Sequence, residues 1–134
     1  MATTQYEGIP AVAGEAAGPS GTVVMKFGGT SVADTARIKA VAQRLVAARE
    51  AGHRVVAVLS AMGDTTDELL RLAHEVSPTP VPREVDMLIS VGERVSCALA
   101  AMAIHDLGHE AISLTGSQAG IVTDTVHGRA KIVD

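Results

Sequence analysis

At 134 residues with 47% hydrophobic content, the chain has the length of one domain or of part of a larger one, and enough apolar material to exclude disorder of the whole. Its net charge of -4, with 15 acidic residues against 11 basic ones and no basic cluster, and its lone Tyr, lone Phe and lack of Trp leave no footprint for nucleic acid. A single cysteine, Cys97, excludes an intrachain disulfide and a cysteine-based zinc site.

Residues 1–21 are rich in Ala, Gly, Pro, Thr and Glu without period, and read as a disordered tail. The β-rich run from about Thr22 to Phe27 follows, carrying one lysine, Lys26, and stopping at Gly28-Gly29-Thr30-Ser31. Ile38, Val41, Ala42, Leu45 and Val46 then recur at helical spacing, and Gly52 closes that helix. Arg54 to Leu59 is a continuous apolar strand, of the kind buried on both faces of a parallel sheet. A second polar loop, Ser60 to Thr66, leads into a helix from Asp67 to Val76. The Pro78, Pro80 and Pro82 run reads as an extended connector.

Glu84 to Leu107 is a long helical pattern in which Gly92 predicts a break, placing Glu93 at the start of a second segment. Gly108 ends it. Ala111 to Leu114 reads as a third strand, Thr115 to Gly120 as a third loop, and Ile121 to Asp124 and Ala130 to Val133 as two further short strands. His105 and His109 read as solvated, and Cys97 as a small buried hydrophobe. The order of strands and helices implies right-handed crossovers and an α/β fold, a three-layer α/β/α sandwich with a mainly parallel sheet. Ligands of such sheets bind beyond the carboxyl ends of the strands, where all three loops are expected.

The first of those loops carries chemistry. Two adjacent glycines keep side chains away and let amides approach an anion, and Lys26 brings a cation to the same place, a combination suited to phosphate. Neither familiar phosphate loop fits: the P-loop places its lysine after the glycines, and the dinucleotide pattern separates its glycines. A strand-Gly-Gly-helix turn made for packing alone is the competing reading.

Lys26-Phe27-Gly28-Gly29-Thr30-Ser31-Val32, Ser60-Ala61-Met62-Gly63-Asp64-Thr65-Thr66-Asp67-Glu68-Leu69, Gly92-Glu93-Arg94 and Thr115-Gly116-Ser117-Gln118-Ala119-Gly120 together resemble the N-terminal part of the aspartokinases, within the amino acid kinase superfamily. The resemblance runs from about Val23 to Asp134 and implies transfer of the γ-phosphoryl group of ATP to the side-chain carboxylate of L-aspartate, the first step of aspartate-family amino-acid biosynthesis. It implies that Lys26 stabilises the transferring phosphoryl group, that Phe27, Gly28 and Gly29 line the phosphate cradle, and that Ser31 adds a hydroxyl. Ser60 and Thr66 would contact the aspartate, and Glu93 would accept hydrogen bonds from its α-ammonium. Thr66 also stands where it could merely cap the following helix. Mg2+ is implied as a companion of the nucleotide phosphates; no metal site is expected from the chain's own side chains.

The resemblance sets further expectations. The family's catalytic domain is roughly twice as long as the part matched, so the chain is expected to hold about half of an active site and to lack turnover alone. The sequence has no basic and apolar leader, and its longest apolar run, Cys97 to Ile104, is too short to span a bilayer, so a cytoplasmic, membrane-free protein is expected. A homo-oligomer of the complete chain is one expected assembly; pairing with a complementary C-terminal polypeptide is another. A non-catalytic module that binds a kinase chain and a kinase for a different carboxylate are the alternative functions.

Overall fold

The structure, a computed structural model, describes residues 21–133. The tail expected over residues 1–21 lies, but for Gly21, outside the described residues. Two strands, β1 (Thr22–Phe27) and β2 (Arg54–Leu59), pair in parallel from Thr22 opposite Arg54 to Phe27 opposite Leu59. Between them runs α1 (Thr35–Glu50), and after them α2 (Thr65–Val76) and α3 (Pro82–Asp106). This is an α/β fold with a parallel sheet, as expected.

Alternation explains which side of the sheet is packed. Phe27 is buried and Val23 and Met25 are half-buried on one face, whereas Thr22, Val24 and Lys26 point out from the other. Helix α1 meets the packed face with a stripe at i, i+3, i+4 and i+7: Ile38, Val41, Ala42 and Leu45 are all buried. Its N-terminus is capped by Asp34, whose carboxylate accepts from the Arg37 amide at 2.8 Å. Beyond its C-terminus Gly52 takes φ +93, the left-handed conformation expected of it.

Opposite this core the sheet is open among the described residues. Val24 is 65% exposed, and Val56 and Val58 are each 48% exposed. The continuous apolar run of β2 therefore is not buried on both faces here: α1 and α3 pack against one face, and the side chains of the other stay exposed.

Helix α3 corrects a second expectation. It is continuous through Gly92, with no break. Gly92 is there for proximity: a Cβ at that position would stand 2.7 Å from the Ala61 Cβ, so only glycine lets α3 run this close to the loop after β2. Pro82, assigned to the connector from sequence, is instead the first residue of α3, where a missing N–H costs nothing. By length and composition α3 could cross a bilayer, with a mean hydropathy of 1.6 over its most apolar stretch. Its middle carries Glu93 and Arg94, however, and an Arg at a bilayer centre costs about 2.5–3.5 kcal/mol. Its small-residue face, Gly92, Ser96 and Ala100, is buried against the rest of the fold.

The chain after α3 differs most from the sequence reading. Ala111 to Leu114 forms no strand, and the two short strands expected beyond it reduce to one antiparallel bridge, Thr123 opposite Ile132. Polar side chains hold this segment: Asp124 Oδ1 accepts from the amides of Val126 and Lys131, and Asp86 Oδ2 accepts from the Gly128 amide at 2.9 Å. Of the two histidines read as solvated, His105 is exposed and His109 is half-buried. His105 Nε2 lies 2.8 Å from the Ala111 carbonyl oxygen and 3.0 Å from its amide nitrogen, and His109 Nε2 lies 3.2 Å from the Glu50 carboxylate.

Candidate functional site

The parallel pairing brings the carboxyl ends of β1 and β2 to one edge, so the loops carrying Gly28-Gly29 and Ser60 to Thr66 start side by side. The ladder continues into them through the Ser60 amide, which donates to the Phe27 carbonyl at 3.1 Å. One step further the Gly63 amide donates to the Gly29 carbonyl at 3.2 Å. Gly29 is needed at that crossing. A Cβ there would lie 3.2 Å from the Ala61 carbonyl oxygen and 3.4 Å from that of Gly63. The two loops thus touch backbone to backbone, as side chains of any size would prevent.

Lys26 is the cation of this edge. It is exposed and makes no ion pair among the described residues, and its Nζ would stand 3.7 Å from a Cβ placed on Gly28. The ammonium therefore overhangs the bare glycine backbone. Phe27 contributes differently from its neighbours: its side chain is buried in the core beneath the Arg44 guanidinium, 5.6 Å from the ring centre, so only its backbone faces the loop.

The glycines do not lead directly into a long helix. A short turn, Gly29–Val32, intervenes, with the Ser31 amide donating to the Gly28 carbonyl at 2.9 Å and the fully buried Val32 anchoring it in the core. Arg37 ties the turn from behind through the Thr30 carbonyl at 2.7 Å. The carboxylate of Asp34 already occupies the N-terminus of α1, so the anion-binding potential of the region rests with the Gly28-Gly29 backbone and Lys26. The Ser31 side chain is exposed beside them.

Ser60 and Thr66 are half-buried at the two ends of the second loop. Helix α2 begins at Thr65, with Asp64 at the position before it making no side-chain cap, so Thr66 lies inside the first turn and is not its cap. Glu93 is exposed on α3, one residue after the close contact at Gly92. Three residues further on, Ser96 is fully buried and its hydroxyl lies 2.7 Å from the Ser60 carbonyl and 3.0 Å from that of Glu93. Lys26, Gly28, Gly29, Ser60 and the Gly92–Ser96 segment of α3 are therefore brought together. Thr115 to Gly120 is not delivered by a strand. Thr115, Ser117 and Gln118 bond one another within it.

Ser96 escaped the sequence reading, as did the packing role of Gly92. The signal was available: Gly92, Ser96 and Ala100 recur every four residues, a small-residue face that lets a helix approach backbone closely. Cys97, beside Ser96, packs against the core, and burial, with a smaller push from the Glu93 carboxylate, raises its thiol pKa. That agrees with a small apolar filler and not with a nucleophile.

An α/β chain with a parallel sheet, whose glycine loops and unpaired lysine share the carboxyl edge, has the layout of proteins that bind ligands at that edge. Residues 21–133 match the family model described as "Amino acid kinase family", and the chain belongs to that family. It is 62% identical over 112 residues to the aspartokinase of Mycolicibacterium smegmatis, covering 84% of this chain and 27% of that protein. It is 60% identical over 112 residues to the aspartokinase of Corynebacterium glutamicum, with the same shares, and 49% identical over 114 residues to aspartokinase 2 of Bacillus subtilis, covering 85% of this chain and 28% of that protein. A solved aspartate kinase from Synechocystis superposes with a TM-score of 0.70 at 52% identity, over 72% of this chain and 17% of that one. The chain spans about a quarter of the length of the curated relatives it matches.

Proposed function

We infer that this chain is the part of an aspartate kinase that carries the phosphoryl-transfer lysine, the glycine cradle and one side of the aspartate site. The observation that supports this most directly is the unpaired Lys26 ammonium over Gly28, at the same sheet edge as Ser60, in a segment 62% identical to an aspartokinase. The proposed reaction moves the γ-phosphoryl group of ATP to the β-carboxylate of L-aspartate, releasing ADP.

The physical demands of that reaction match the residues present. The acceptor is a carboxylate with an ordinary pKa near 4, already ionised at neutral pH, so no general base is needed. The barrier lies in bringing an anion to a polyanion, and charge neutralisation with positioning lowers it. Lys26 supplies the charge. Gly28 and Gly29 supply bare backbone, and their lack of Cβ atoms keeps the cradle open to phosphate oxygens. Ser31 adds a hydroxyl at its rim. Ser60 and Thr66 hold the aspartate from the second loop, and exposed Glu93 offers a carboxylate to its α-ammonium.

Among the described residues no three His, Cys, Asp or Glu side chains come together to hold a metal ion. Mg2+ would enter this site on the phosphates of the nucleotide, where it would neutralise charge that Lys26 does not reach. A cytoplasmic location, a homo-oligomeric assembly and a place at the entry to aspartate-derived amino-acid synthesis belong to the same proposal.

The test is aspartate-dependent ADP release by the complete protein. Glu93→Gln and Thr66→Ala are expected each to raise the KM for aspartate about tenfold or more while moving that for ATP about twofold or less, as for groups that bind only one substrate. Absence of aspartate-dependent turnover in the unaltered complete protein refutes the reading. Unchanged KM for aspartate in both variants removes Thr66 and Glu93 from the aspartate site.

A further inference from the structure

Ser96 does no chemistry in the proposed reaction, yet it is the most completely buried polar side chain among the described residues, at 0% exposure. A buried hydroxyl needs partners, and its partners here are informative. It lies 3.0 Å from the carbonyl of Glu93, the ordinary back-bond of a helical serine to a residue three before it. It lies closer, 2.7 Å, to the carbonyl of Ser60, which belongs to a different element 36 residues away. A hydroxyl has one proton, and the shorter contact takes most of it.

The second observation is steric and independent. One turn before Ser96, a Cβ on Gly92 would stand 2.7 Å from the Ala61 Cβ, 3.6 Å from Thr65 Cγ2 and 3.8 Å from the Ala61 Cα. No real Cβ tolerates the first of these distances, whereas the other two are ordinary contact. A single methyl group, that of Ala61, therefore sets how near α3 can come to the loop. Ala61 is itself buried and cannot swing aside.

We propose that Ser96, with the Gly92–Ala61 contact, is a positioning device that fixes the spacing between Ser60 and Glu93 and so sets the affinity of the site for its amino-acid substrate. The inference rests on the aspartate kinase reading above and deepens it. One hydroxyl reaches the backbone carbonyls of two residues that this reading assigns to the substrate, Ser60 and Glu93. The hydroxyl pulls the loop onto the helix, and the missing Cβ allows the approach. Neither residue touches the substrate; both act through Ser60 and Glu93. The spacing matters because misplacement of binding groups by about 1 Å can cost about a hundredfold in rate.

The test uses the complete protein and two perturbations that leave Ser60 and Glu93 in place. Ser96→Ala removes the hydrogen bond. It is expected to raise the KM for aspartate roughly tenfold, with the KM for ATP changed about twofold or less, because the device acts on one substrate only. Gly92→Ala forces α3 off the loop and is expected to raise the same constant at least as much. Adding Ala61→Gly to Gly92→Ala moves the methyl group from one side of the contact to the other, leaving the new Cβ only ordinary neighbours, and is expected to bring the KM for aspartate back to within about threefold of the starting value.

A purely structural role predicts otherwise: lower thermal stability in Ser96→Ala and Gly92→Ala with the KM for aspartate unmoved, and that result overturns the proposal. So does a double variant no better than Gly92→Ala alone. Should Gly92→Ala fail to fold, the Ser96→Ala kinetics and the double variant still decide. An unaltered protein that turns over ATP with no dependence on aspartate overturns the functional reading and this inference with it. An aspartate-dependent protein whose variants keep the starting KM overturns the inference alone.

Discussion

Lys26 shows how far a single residue could be read. Its place at the end of a strand, ahead of two glycines, is plain in the sequence, and the structure sets its ammonium over Gly28 as that order suggests. Its side chain is exposed and makes no ion pair among the described residues, so Lys26→Met is expected to leave the melting temperature of the complete protein nearly unchanged. The kcat for aspartate-dependent ADP release is expected to fall about a hundredfold to a thousandfold, the scale of losing one group that stabilises transition-state charge. Cys97 gives a prediction of the opposite kind, on stability alone. Burial, and less so Glu93, make the folded thiol hold its proton more tightly than the unfolded one. Its contribution is therefore complete below the unfolded thiol's pKa, near 8.5, and is lost as the pH rises through the folded value. Chemical denaturation at about pH 8 and about pH 10 is expected to show a larger loss for the natural chain than for Cys97→Ala.

Among the elements, α1 was the most legible and α3 the least. The apolar stripe of α1 from Ile38 to Leu45 is buried residue for residue, and the glycine that ends it is where the pattern placed it. Truncating that stripe with Leu45→Ala is expected to cost about 2–5 kcal/mol of unfolding free energy, and removing the cap with Asp34→Ala about 0.5–2 kcal/mol, both read from urea unfolding. Gly92 misled because local propensity makes a mid-helix glycine a breaker, while the tertiary contact with Ala61 makes it a requirement. No periodicity within one segment reports which other segment will lie against it. The same limit governs the region after α3. Ala111 to Leu114 has strand composition, but a strand exists only with a partner, and no described residue pairs with it.

At the scale of the whole molecule, the sheet has a packed face and an open one. The α/β class and the parallel order were legible because alternation of strands and helices permits little else. Which face would be covered was not, since the β2 run is apolar at inward and outward positions alike. Val24, Val56 and Val58 are exposed on the open face, and apolar residues of α2 and α3 are exposed elsewhere, among them Val76 at 89% exposure. Surface of this kind associates in water. The 134-residue chain is expected to show a scattering mass that grows with concentration, and the pair Val24→Thr and Val56→Thr, which keeps β-branched side chains on the strands, is expected to reduce that growth. Equal growth in the variant refutes the role of this face.

The bond from the Gly63 amide to the Gly29 carbonyl joins the loop assigned to phosphate with the loop assigned to aspartate. Such a clasp couples the opening of one loop to that of the other. Opening either must break the same hydrogen bond, so the solvent exchange of the Gly63 amide proton reports on both at once. In the complete protein, a nucleotide bound at the first loop is expected to slow exchange at Gly63 before any aspartate is added.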